Sequence, residues 1–559
     1  MKFRPLFLSP LLAAALQMGV TAGALAETLR TVTIFSINDF HGNLQASQPV
    51  PYQFPRVQDG KTVNGAAGGY AYLVTRLKER RAAVGDSILV GAGDLMGASP
   101  MGSALLKDEP VVEALNRIQL NITAVGNHEF DNGTADLMRR IQGTCPEAGC
   151  AFQGFKGASY AYLGANVIDK STGKPWLTPY VVRQVGDLKI GFIGAVTSDV
   201  PNLVAGDAVK ALRFDDEAET INRYVPELKA QGVDAIVVLI HEGAMFKGPE
   251  SDPTYRCEGL QGPIINIANK IDPAVSLIVS GHSHQGYTCK IADKLVVQGR
   301  SYGAYLTEST LTIDKDSGKV VKADAVNHLI DQQNITPDAE AQTLVAEVAR
   351  LTGDMRSRPV IKLSKPLLRF SEGDAFDSTL GNLIADSQLH FAAHMADADI
   401  AFMNSGGIRN DLPSGAQGSD IQVTFGDLYA VQPFGNGLVR LKMTGQQILD
   451  VLQQQWKNRP AGEVKKLFVS QGFSYVWQRN PAAEPTLRDV QLNGKALDPA
   501  RTYTVIVNSF LAEGGDGFTV FKKAGDRALL GRDLDAMESY IREHSKQIDS
   551  IATDRVRYQ

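Results

Sequence analysis

Short runs of apolar, mostly β-branched residues recur along the first half of the chain. Such runs predict buried strands, because a strand covered on both faces carries apolar side chains at successive positions. Stretches with helical spacing lie between the runs, and this alternation predicts a layered α/β fold. Five of the runs read TVTIFSIN, SILVGA, ITAV, DAIVVLI and VSLIVS.

Each of these five runs is followed at once, or within two residues, by side chains that can bind metal ions. In open α/β sheets the binding site lies at the carboxyl ends of the strands, so we expect these side chains to meet at one edge. Five of the nine histidines in the chain fall in these positions. Chance is a poor explanation for this clustering, because burying unpaired imidazoles and carboxylates costs free energy. The candidate ligands are Asp39, His41, Asp94, Asn127, His241, His282 and His284, and His128 lies beside them.

The chemical types in this set indicate which ions would bind. Aspartate, histidine and asparagine without cysteine suit Zn, Mn, Co or Fe(II). Seven ligands are too many for one four-coordinate ion, and they suit two divalent ions that share a carboxylate. Paired ions clamp the attacking and leaving oxygens of an in-line displacement and generate hydroxide at neutral pH. The ligand set therefore predicts hydrolysis of a phosphate ester.

The length of 559 residues exceeds what one hydrophobic core usually supports, so we expect two large domains. The alternating strands and helices predict a catalytic domain over residues 27–335. A helix-forming segment with Thr336-Pro337-Asp338 at its start predicts a connecting helix and hinge within residues 336–360. Residues 361–559 carry their own strand and helix patterns and form the predicted second domain.

The first 26 residues have the features of a secretory signal. Lys2 and Arg4 precede a Leu/Ala-rich stretch, and Ala24-Leu25-Ala26 fits a cleavage site, so we expect cleavage after Ala26. Pro10, Gln17 and Gly19 interrupt the apolar stretch and make it a poor membrane-spanning helix. We therefore expect a periplasmic or secreted protein without a membrane anchor.

The charge balance excludes partners that are bound through bulk positive charge. The net charge is −5, and loss of Lys2 and Arg4 with the leader would bring it to −7. Without a run of basic residues, we expect no binding of nucleic acid polymers or anionic bilayers. Local arginines and metal ions can still bind small anions.

Four cysteines, an even number in an exported chain, predict two disulfides. Cys145 and Cys150 flank a short loop and are natural partners, which leaves Cys257 with Cys289. The alternative is a four-thiolate zinc site, but the spacing lacks two C-x-x-C motifs.

The blocks D-x-H, G-D, G-N-H-E, H and G-H-x-H, in this order, resemble those of the calcineurin-like metallophosphoesterases. The strings GNHEFDNG, MNSGGIRNDL, VQPFGN and NSFLAEGGDGF resemble the bacterial periplasmic 5′-nucleotidase family. The resemblance runs from about residue 30 to residue 525. It implies an N-terminal four-layer αββα metallophosphoesterase domain, a linker helix and a C-terminal α+β nucleotide-recognition domain.

The resemblance also implies how the ligands divide between the two ions. One ion would be held by Asp39, His41, Asp94 and His284, and the other by Asp94, Asn127, His241 and His282, with Asp94 bridging. His128 would stabilise charge on the phosphoryl group or protonate the leaving oxygen. Asp131 would orient the His128 ring, and its alternative role is to cap a following helix.

In the second domain the resemblance implies a nucleoside pocket. Phe434 and Phe510 would sandwich the base, although on sequence alone a phenylalanine in such a context is more often a core residue than a stacking platform. Asp516 would bind the ribose hydroxyls, with an ordinary turn aspartate as the alternative. Asn404 would read a base or sugar edge, and Arg409 would bind phosphate or ribose oxygens unless it is a surface arginine.

One departure from the family pattern concerns phosphate binding. Relatives place an arginine a few residues before the Gly-Asn-Leu that opens a helix, here Gly381-Asn382-Leu383. The nearest upstream arginine in this chain is Arg369. The range of phosphate esters is therefore less determined than the metal chemistry.

These observations predict an exported hydrolase that converts nucleoside 5′-monophosphates to nucleosides and phosphate by metal-activated hydroxide attack. Its domains would move relative to each other, as in relatives, and no partner protein is indicated. One alternative is the same site acting on 2′,3′-cyclic nucleotides, 3′-nucleotides or nucleotide-sugar diphosphates. Another is a non-catalytic nucleotide-binding surface protein.

Overall fold

The computed structural model describes most of the chain. The described ranges are 28–45, 52–58, 61–147, 149–204, 208–369, 376–395, 397–413, 415–457, 459, 464–478 and 485–559. The predicted leader, residues 1–26, lies outside them. Within the described ranges, none of the helices combines the length and the apolar character needed to cross a bilayer.

Within the described residues, the first domain contains sixteen strands, which are numbered in chain order. They are β1 (Leu29–Ile37), β2 (Tyr52–Gln58), β3 (Lys61–Ala67), β4 (Ser87–Ala92), β5 (Ile122–Ala124), β6 (Ala161–Leu163), β7 (Val167–Asp169), β8 (Tyr180–Val185), β9 (Leu188–Val196), β10 (Leu212–Phe214), β11 (Ala235–His241), β12 (Val275–Ser280), β13 (Gly286–Ile291), β14 (Lys294–Gly299), β15 (Tyr305–Asp314) and β16 (Lys319–Leu329).

Helices connect many of these strands. They are α1 (Tyr70–Ala83), α2 (Met101–Leu105), α3 (Glu109–Arg117), α4 (Gly133–Gln142), α5 (Val200–Leu203), α6 (Glu217–Ala230) and α7 (Pro263–Lys270), with a 3-10 turn at His128–Phe130.

Two six-stranded sheets form the centre of this domain, in the orders β16-β15-β1-β4-β5-β6 and β13-β14-β12-β11-β9-β8. Ile34 of one sheet and Val237 of the other belong to a shared core between the sheets. Phe35 points from the opposite face into a core with α1 and α3, and Val238 into one with α6 and α7. Strands buried on both faces explain the continuous apolar runs. The predicted four-layer αββα arrangement is confirmed.

The topology brings the candidate ligands to one edge. Strands β1, β4 and β5 run parallel, and so do β9, β11 and β12, so their carboxyl ends coincide within each sheet. His241 is the last residue of β11, and the segments that follow β1, β4, β5 and β12 carry the other candidate ligands.

A long helix, α8 (Ala339–Ser357), follows the first domain, and the Asp338 side chain caps it by accepting a hydrogen bond from the Ala341 N–H. This helix lies within the segment predicted to connect the domains.

The second domain has its own strands and helices. The strands are β17 (Pro359–Leu363), β18 (Ile400–Asn404), β19 (Ile421–Thr424), β20 (Gly437–Thr444), β21 (Leu467–Val469), β22 (Phe473–Gln478), β23 (Thr486–Leu492), β24 (Lys495–Ala496), β25 (Thr502–Asn508), β26 (Gly525–Arg532) and β27 (Val556–Tyr558). The helices are α9 (Thr379–Ala393), α10 (Phe425–Val431), α11 (Gly445–Gln453), α12 (Ser509–Ala512) and α13 (Asp533–Glu543), with 3-10 turns at Ser405–Gly407, Gly515–Gly517, Thr519–Lys523 and Ile548–Ser550.

These strands form a mixed five-stranded sheet, order β21-β18-β25-β20-β26, and a four-stranded sheet, order β24-β23-β22-β27. Helices pack on the sheets around hydrophobic cores, in agreement with the α+β prediction.

Both predicted disulfides are present. Cys145 pairs with Cys150, and Cys257 pairs with Cys289. The second bond fixes β13, which begins two residues after His284, to the loop that precedes α7. The four-thiolate zinc alternative is therefore wrong.

Candidate dimetal centre and substrate cleft

Asp39, His41 and His284 form the first of two ligand clusters at the sheet edge. The Nε2 atom of His41 lies 3.1 Å from Nε2 of His284, and the latter lies 3.4 Å from Oδ1 of Asp39. Asp39 and His41 are fully buried. The cluster therefore directs two imidazole nitrogens and a carboxylate oxygen towards a shared point.

Asp94, His241 and His282 form the second cluster, and Asn127 completes it. The Oδ1 atom of Asn127 lies 3.2 Å from Nε2 of His241 and 3.1 Å from Nδ1 of His282. Nε2 of His241 lies 3.0 Å from Oδ2 of Asp94. All seven predicted ligands are thus brought together in two adjacent groups.

Asp94 lies between the two clusters. Its Oδ2 atom is 3.7 Å from Nε2 of His41, while its Oδ1 atom accepts a 2.8 Å hydrogen bond from the His128 N–H. Burial alone would raise the pKa of Asp94, but the charges of His241 and His128 outweigh it and hold the pKa well below its usual range. This carboxylate is placed to serve both clusters.

The tautomers of two ligand histidines test whether cations fit this arrangement. Nδ1 of His41 bonds the Gly97 carbonyl and Nδ1 of His241 bonds the Ala92 carbonyl, each at 2.8 Å. Since a carbonyl only accepts, each Nδ1 carries a proton, and Nε2 is the atom whose lone pair would bind a metal ion. The two Nε2 atoms lie about 3 to 3.7 Å from the nitrogen and oxygen atoms of the neighbouring candidate ligands. Around a tetrahedral metal ion with bonds of about 2.1 Å, the ligand atoms are separated by about 3.4 Å, which agrees with this spacing. The residues therefore fit a pair of transition-metal cations.

The surrounding charges shift the pKa values of two candidate ligand histidines in opposite directions. Burial opposes protonation of His241, but Asp94 and Asp39 outweigh it and raise its pKa to about 10. Burial and the charge of His241 lower the pKa of His282 to about 4. The carboxylates therefore favour a second proton on Nε2 of His241, which a metal ion would displace on binding, whereas the His282 ring is neutral as a ligand should be.

The ligand loops are held in an unusual backbone conformation. Asp39, His41, Asp94, His282 and His284 all have positive φ angles, between 46° and 71°. Non-glycine residues rarely adopt this region, and such residues cluster at functional sites because the surrounding structure must enforce them. The strain is consistent with loops shaped for ligand placement.

Glu129 enforces this shape, and the sequence reasoning assigned it no role. Its fully buried carboxylate accepts hydrogen bonds from the backbone N–H groups of Asp94, Leu95, Met96 and Gly126, at 2.7–3.2 Å. In the sequence, the glutamate at the fourth position of the G-N-H-E block is the feature that could have indicated this role. Glu129 joins two ligand-bearing loops through a single side chain.

Two further residues beside the first cluster were also missed. The Asn38 amide donates a 2.6 Å hydrogen bond to Oδ2 of Asp39 and accepts one from the Gly299 N–H. The Tyr302 ring lies 5.8 Å from the His41 ring and 5.3 Å from the His284 ring. A lone asparagine or tyrosine gives no sequence signal for such a role.

His128 and Asp131 are in direct contact. Nδ1 of His128 lies 2.9 and 3.0 Å from the two Asp131 carboxylate oxygens, and Oδ2 of Asp131 also accepts a hydrogen bond from the Ala98 N–H. Burial opposes protonation of His128, but Asp131 and Asp94 outweigh it and raise its pKa. Helix α4 begins at Gly133 with Asn132 in the capping position, so Asp131 is not its cap.

The second domain reaches this site directly. The Phe434 ring stacks on the His128 ring, with centroids 5.8 Å apart, and the Arg409 guanidinium lies 5.7 Å from the Phe434 centroid. The charge of Arg409 also opposes protonation of His41 and His128. Arg409 is thus oriented towards the metal centre rather than into bulk solvent.

Asn404 and Asp516 are linked by a short network. The Asn404 amide donates a 2.7 Å hydrogen bond to Oδ2 of Asp516 and accepts one from the Asn508 amide at 2.9 Å. Asp516 is 9% exposed and has a φ of 54°, so it is a held carboxylate rather than an ordinary surface turn residue.

The loops that carry the two predicted base-stacking residues are adjacent. Ser509, the neighbour of Phe510, donates a 3.2 Å hydrogen bond to the side chain of Asn436, two residues beyond Phe434. Phe510 lies on α12 and packs against Gly515, where an added Cβ would overlap its ring.

A cavity of about 130 Å³ lies between the domains beside the metal centre. Tyr302 and Ser99 line it from the first domain, and three arginines, Arg356, Arg369 and Arg409, line it from the linker and the second domain. Arg369 donates a 2.6 Å hydrogen bond to the Arg409 carbonyl, so the two arginines are held side by side.

Comparison with known proteins agrees with this architecture. The calcineurin-like phosphoesterase family model matches residues 32–286, and the 5′-nucleotidase C-terminal domain model matches residues 360–523. A cell wall protein of Listeria monocytogenes is 32% identical, covering 94% of this chain and 68% of its own. An endonuclease of Bacillus subtilis is also 32% identical, but the match spans only 40% of its length.

Nucleotidases of similar length match as well. A snake venom 5′-nucleotidase of Naja atra is 26% identical, with 92% of this chain and 96% of that protein covered. The crystal structure of a 5′-nucleotidase precursor from Thermus thermophilus superimposes with a TM-score of 0.75 at 26% identity, covering 95% of this chain and 99% of that one. The chain therefore belongs to the calcineurin-like phosphoesterases that carry a 5′-nucleotidase C-terminal domain, and it is a hydrolase of phosphoric esters.

Proposed function

We propose that this protein is an exported 5′-nucleotidase that hydrolyses nucleoside 5′-monophosphates to nucleosides and phosphate. The observation that carries this proposal is the position of Phe434 and Arg409. Both belong to the predicted nucleotide-recognition domain; the Phe434 ring stacks on His128 at the candidate metal centre, and the Arg409 guanidinium lies 5.7 Å from the Phe434 ring centroid.

The seven ligands would hold two divalent ions, Zn, Mn, Co or Fe(II), in the division predicted from the family, with Asp94 shared. When bound, these ions supply Lewis acidity and lower the pKa of water at the site. Among the residues themselves, Glu129 and Asn38 fix the positions of the ligand loops.

His128 is the proposed proton donor. Because Asp131 occupies its Nδ1, Nε2 is the nitrogen that remains to stabilise a phosphoryl oxygen or protonate the leaving 5′-oxygen. The raised pKa keeps the ring protonated at a higher pH than a free histidine. Asp131 acts through His128 and is a positioning residue.

Arg409 and Arg369 are the proposed phosphate-binding pair. A guanidinium can bind two phosphate oxygens in one plane, and the two side chains line the same cavity. Arg369 would thereby take the place of the arginine that relatives carry nearer to Gly381.

The nucleoside would be bound by the second domain. Phe434 and Phe510 would stack on the base, which contributes about 1–3 kcal/mol per base and tolerates different bases. Asp516 would accept hydrogen bonds from the ribose hydroxyls, and Asn404 holds its carboxylate in place.

Entry of a nucleotide requires Phe434 to move off His128. We propose that the domains separate about the segment 336–360, so that substrate bound to the second domain is carried to the metal centre. A cross-link that holds the two domains apart tests this proposal. Undiminished turnover of the cross-linked protein would contradict it.

A substrate panel tests the reaction. Purified protein with added Mn²⁺ or Co²⁺ is assayed for phosphate release from AMP, GMP, 3′-AMP and glycerol phosphate, and for product formation from 2′,3′-cyclic AMP and UDP-glucose. The 5′-monophosphates should give the highest kcat/KM. Higher kcat/KM for the cyclic, 3′ or diphosphate substrates would overturn the 5′ specificity.

Export is tested separately by expressing the full chain and a chain lacking residues 1–26. The full chain should appear outside the cytoplasm with an N-terminus at Glu27, and the shortened chain should remain inside. Retention of the full chain in the cytoplasm would contradict export and leave the reaction unaffected.

A further inference from the structure

A second group of histidines lies on the outer face of the second domain. Of the nine histidines in the chain, His390, His394 and His544 lie together here with Glu543. His390 and His394 are one helical turn apart at the end of α9, while Glu543 and His544 end α13. Two packed helices therefore bring four potential ligands to one place.

The atoms of this cluster converge as those of the dimetal centre do. Nε2 of His390 lies 2.8 Å from Oε2 of Glu543 and 3.1 Å from Nε2 of His394. One ligand atom from each of these residues lies within 4.8 Å of the other two. The 3.1 Å separation of two imidazole nitrogens equals that between His41 and His284 in the first catalytic cluster.

His544 lies beside these three residues. Its ring centroid is 4.6 Å from that of His390, and its face stacks on Tyr540 at 4.2 Å. Its Nδ1 lies 3.2 Å from the Tyr540 carbonyl and must be the donor there, so the neutral ring keeps a lone pair on Nε2.

The electrostatic setting favours a cation. His390 lies in the last turn of α9, and Glu543 and His544 lie at the end of α13. Helix carboxyl ends carry partial negative charge, which stabilises cations. Glu543 adds a full negative charge, and the guanidinium of the neighbouring Arg542 is directed to Glu538 and to the Pro359 carbonyl.

We propose that His390, His394 and Glu543, with His544 or water as a fourth ligand, bind one divalent cation of the zinc class. Imidazole and carboxylate ligands with an i, i+4 histidine pair suit Zn²⁺, Co²⁺ or Ni²⁺ rather than Mg²⁺. This ion is separate from the catalytic pair, and the inference does not depend on the proposed reaction.

The bound ion would brace the substrate-binding domain. It links the carboxyl end of α9 to that of α13, and α13 begins at Asp533, whose N–H donates a hydrogen bond to the Asn436 carbonyl in the loop that carries Phe434. An ion bound at the carboxyl end of α13 would therefore stabilise the helix whose first residue is hydrogen-bonded to this loop.

Metal analysis of the full-length protein tests the site. Wild-type protein, a His390→Ala/His394→Ala variant and a His328→Ala control are dialysed against zinc chloride, desalted and analysed by mass spectrometry. His328 is a suitable control because it pairs with Glu308 in the first domain, away from this cluster. The double variant should hold one zinc ion fewer per chain than wild type and the control.

Thermal unfolding provides an independent readout. Zinc should raise the Tm of the second-domain transition in wild type and in the control, and the double variant should lose that shift. A circular dichroism spectrum equal to that of wild type establishes that the variant is folded. A conservative His390→Gln/His394→Gln variant serves instead if the alanine variant does not fold.

Equal zinc content and equal Tm shifts in wild type and a folded double variant would overturn the proposal. An Asp94→Ala background isolates the site further, because the catalytic ligands are then incomplete. Titration with zinc chloride in that background should retain binding that disappears on adding His390→Ala/His394→Ala. Binding that persists in the combined variant would also overturn it.

Discussion

His128 of the first domain stacks face to face on Phe434 of the second, with an interplanar angle of 17° and centroids 5.8 Å apart. The residue proposed to donate a proton is therefore covered by the residue proposed to hold the base. The face of the Phe434 ring that stacks on His128 cannot stack on a base at the same time. Under the proposed function, the two rings must therefore separate for a base to occupy that face.

Replacing Phe434 separates the two roles of this ring. Phe434→Ala should raise KM for AMP by about 5- to 150-fold, because base stacking contributes about 1–3 kcal/mol, with a small change in kcat. Glycerol phosphate, which lacks a base, is the control substrate, and its kinetics should change little. An unchanged KM for AMP with a raised kcat would instead show that Phe434 only shields His128.

Asp131 should affect turnover without affecting binding. Asp131→Asn removes the charge beside His128 but keeps an oxygen for the Ala98 N–H, so the fold is maintained. We expect kcat to fall about 10- to 100-fold with KM and Tm near their wild-type values, since loss of such a supporting partner typically costs this much. His128→Ala should cost about 10²- to 10⁴-fold, and the double variant should be little worse. Additive losses would contradict joint action.

The clustering of the seven candidate ligands was predictable from sequence, because the ends of parallel strands bring the residues that follow them to one edge of the sheet. Each apolar run marks a strand that ends next to a block of candidate ligands, and the parallel order of the strands places these ends side by side. The contact between His128 and Phe434 was not predictable, because it depends on how two separate domains dock. Glu129 was missed because its partners are backbone N–H groups, and Asn38 because two of its partners are the backbone of Gly299 and Arg300; backbone partners leave no pattern of side-chain types.

The shared position of Asp94 predicts an unequal effect of ligand substitutions. Asp94→Ala should release both catalytic ions, whereas Asn127→Ala should weaken the ion of the second cluster alone. Mass spectrometry of desalted protein measures the difference. Chelation of wild type should abolish phosphate release, and added Mn²⁺ or Co²⁺ should restore it. Equal metal loss in the two variants would contradict a bridging role.

Glu129 should be required for folding of the ligand loops. Glu129→Ala leaves four buried N–H groups without their acceptor, and each such loss costs about 1–3 kcal/mol unless water enters. We expect at least about 3 kcal/mol of lost stability in the first domain together with weaker metal binding. Glu79→Ala, which removes an exposed partner of Arg76, is the control and should change stability by less than about 1 kcal/mol. Similar unfolding curves for the two variants would contradict this role.

Asp533, at the start of α13, should make the stability of the second domain depend on pH. Burial raises the pKa of its carboxyl to about 7, against 3.8 for a free aspartate. Between these values the folded state holds a proton that the unfolded state has released, so stability falls as pH rises from about 4 to 7. At about 1.4 kcal/mol per pKa unit, the upper bound of this loss is about 4 kcal/mol.

Asp533→Asn removes the titration and keeps an oxygen for the Leu534 N–H. Urea unfolding followed by the fluorescence of Trp456 and Trp477, both in the second domain, measures the effect at pH 5 and pH 8. The wild-type midpoint should fall between these pH values by more than that of Asp533→Asn. The exposed Asp535→Asn variant should behave as wild type. Equal falls in wild type and Asp533→Asn would mean that Asp533 is ionised in the folded protein throughout this range, and that the buried end of α13 tolerates its charge.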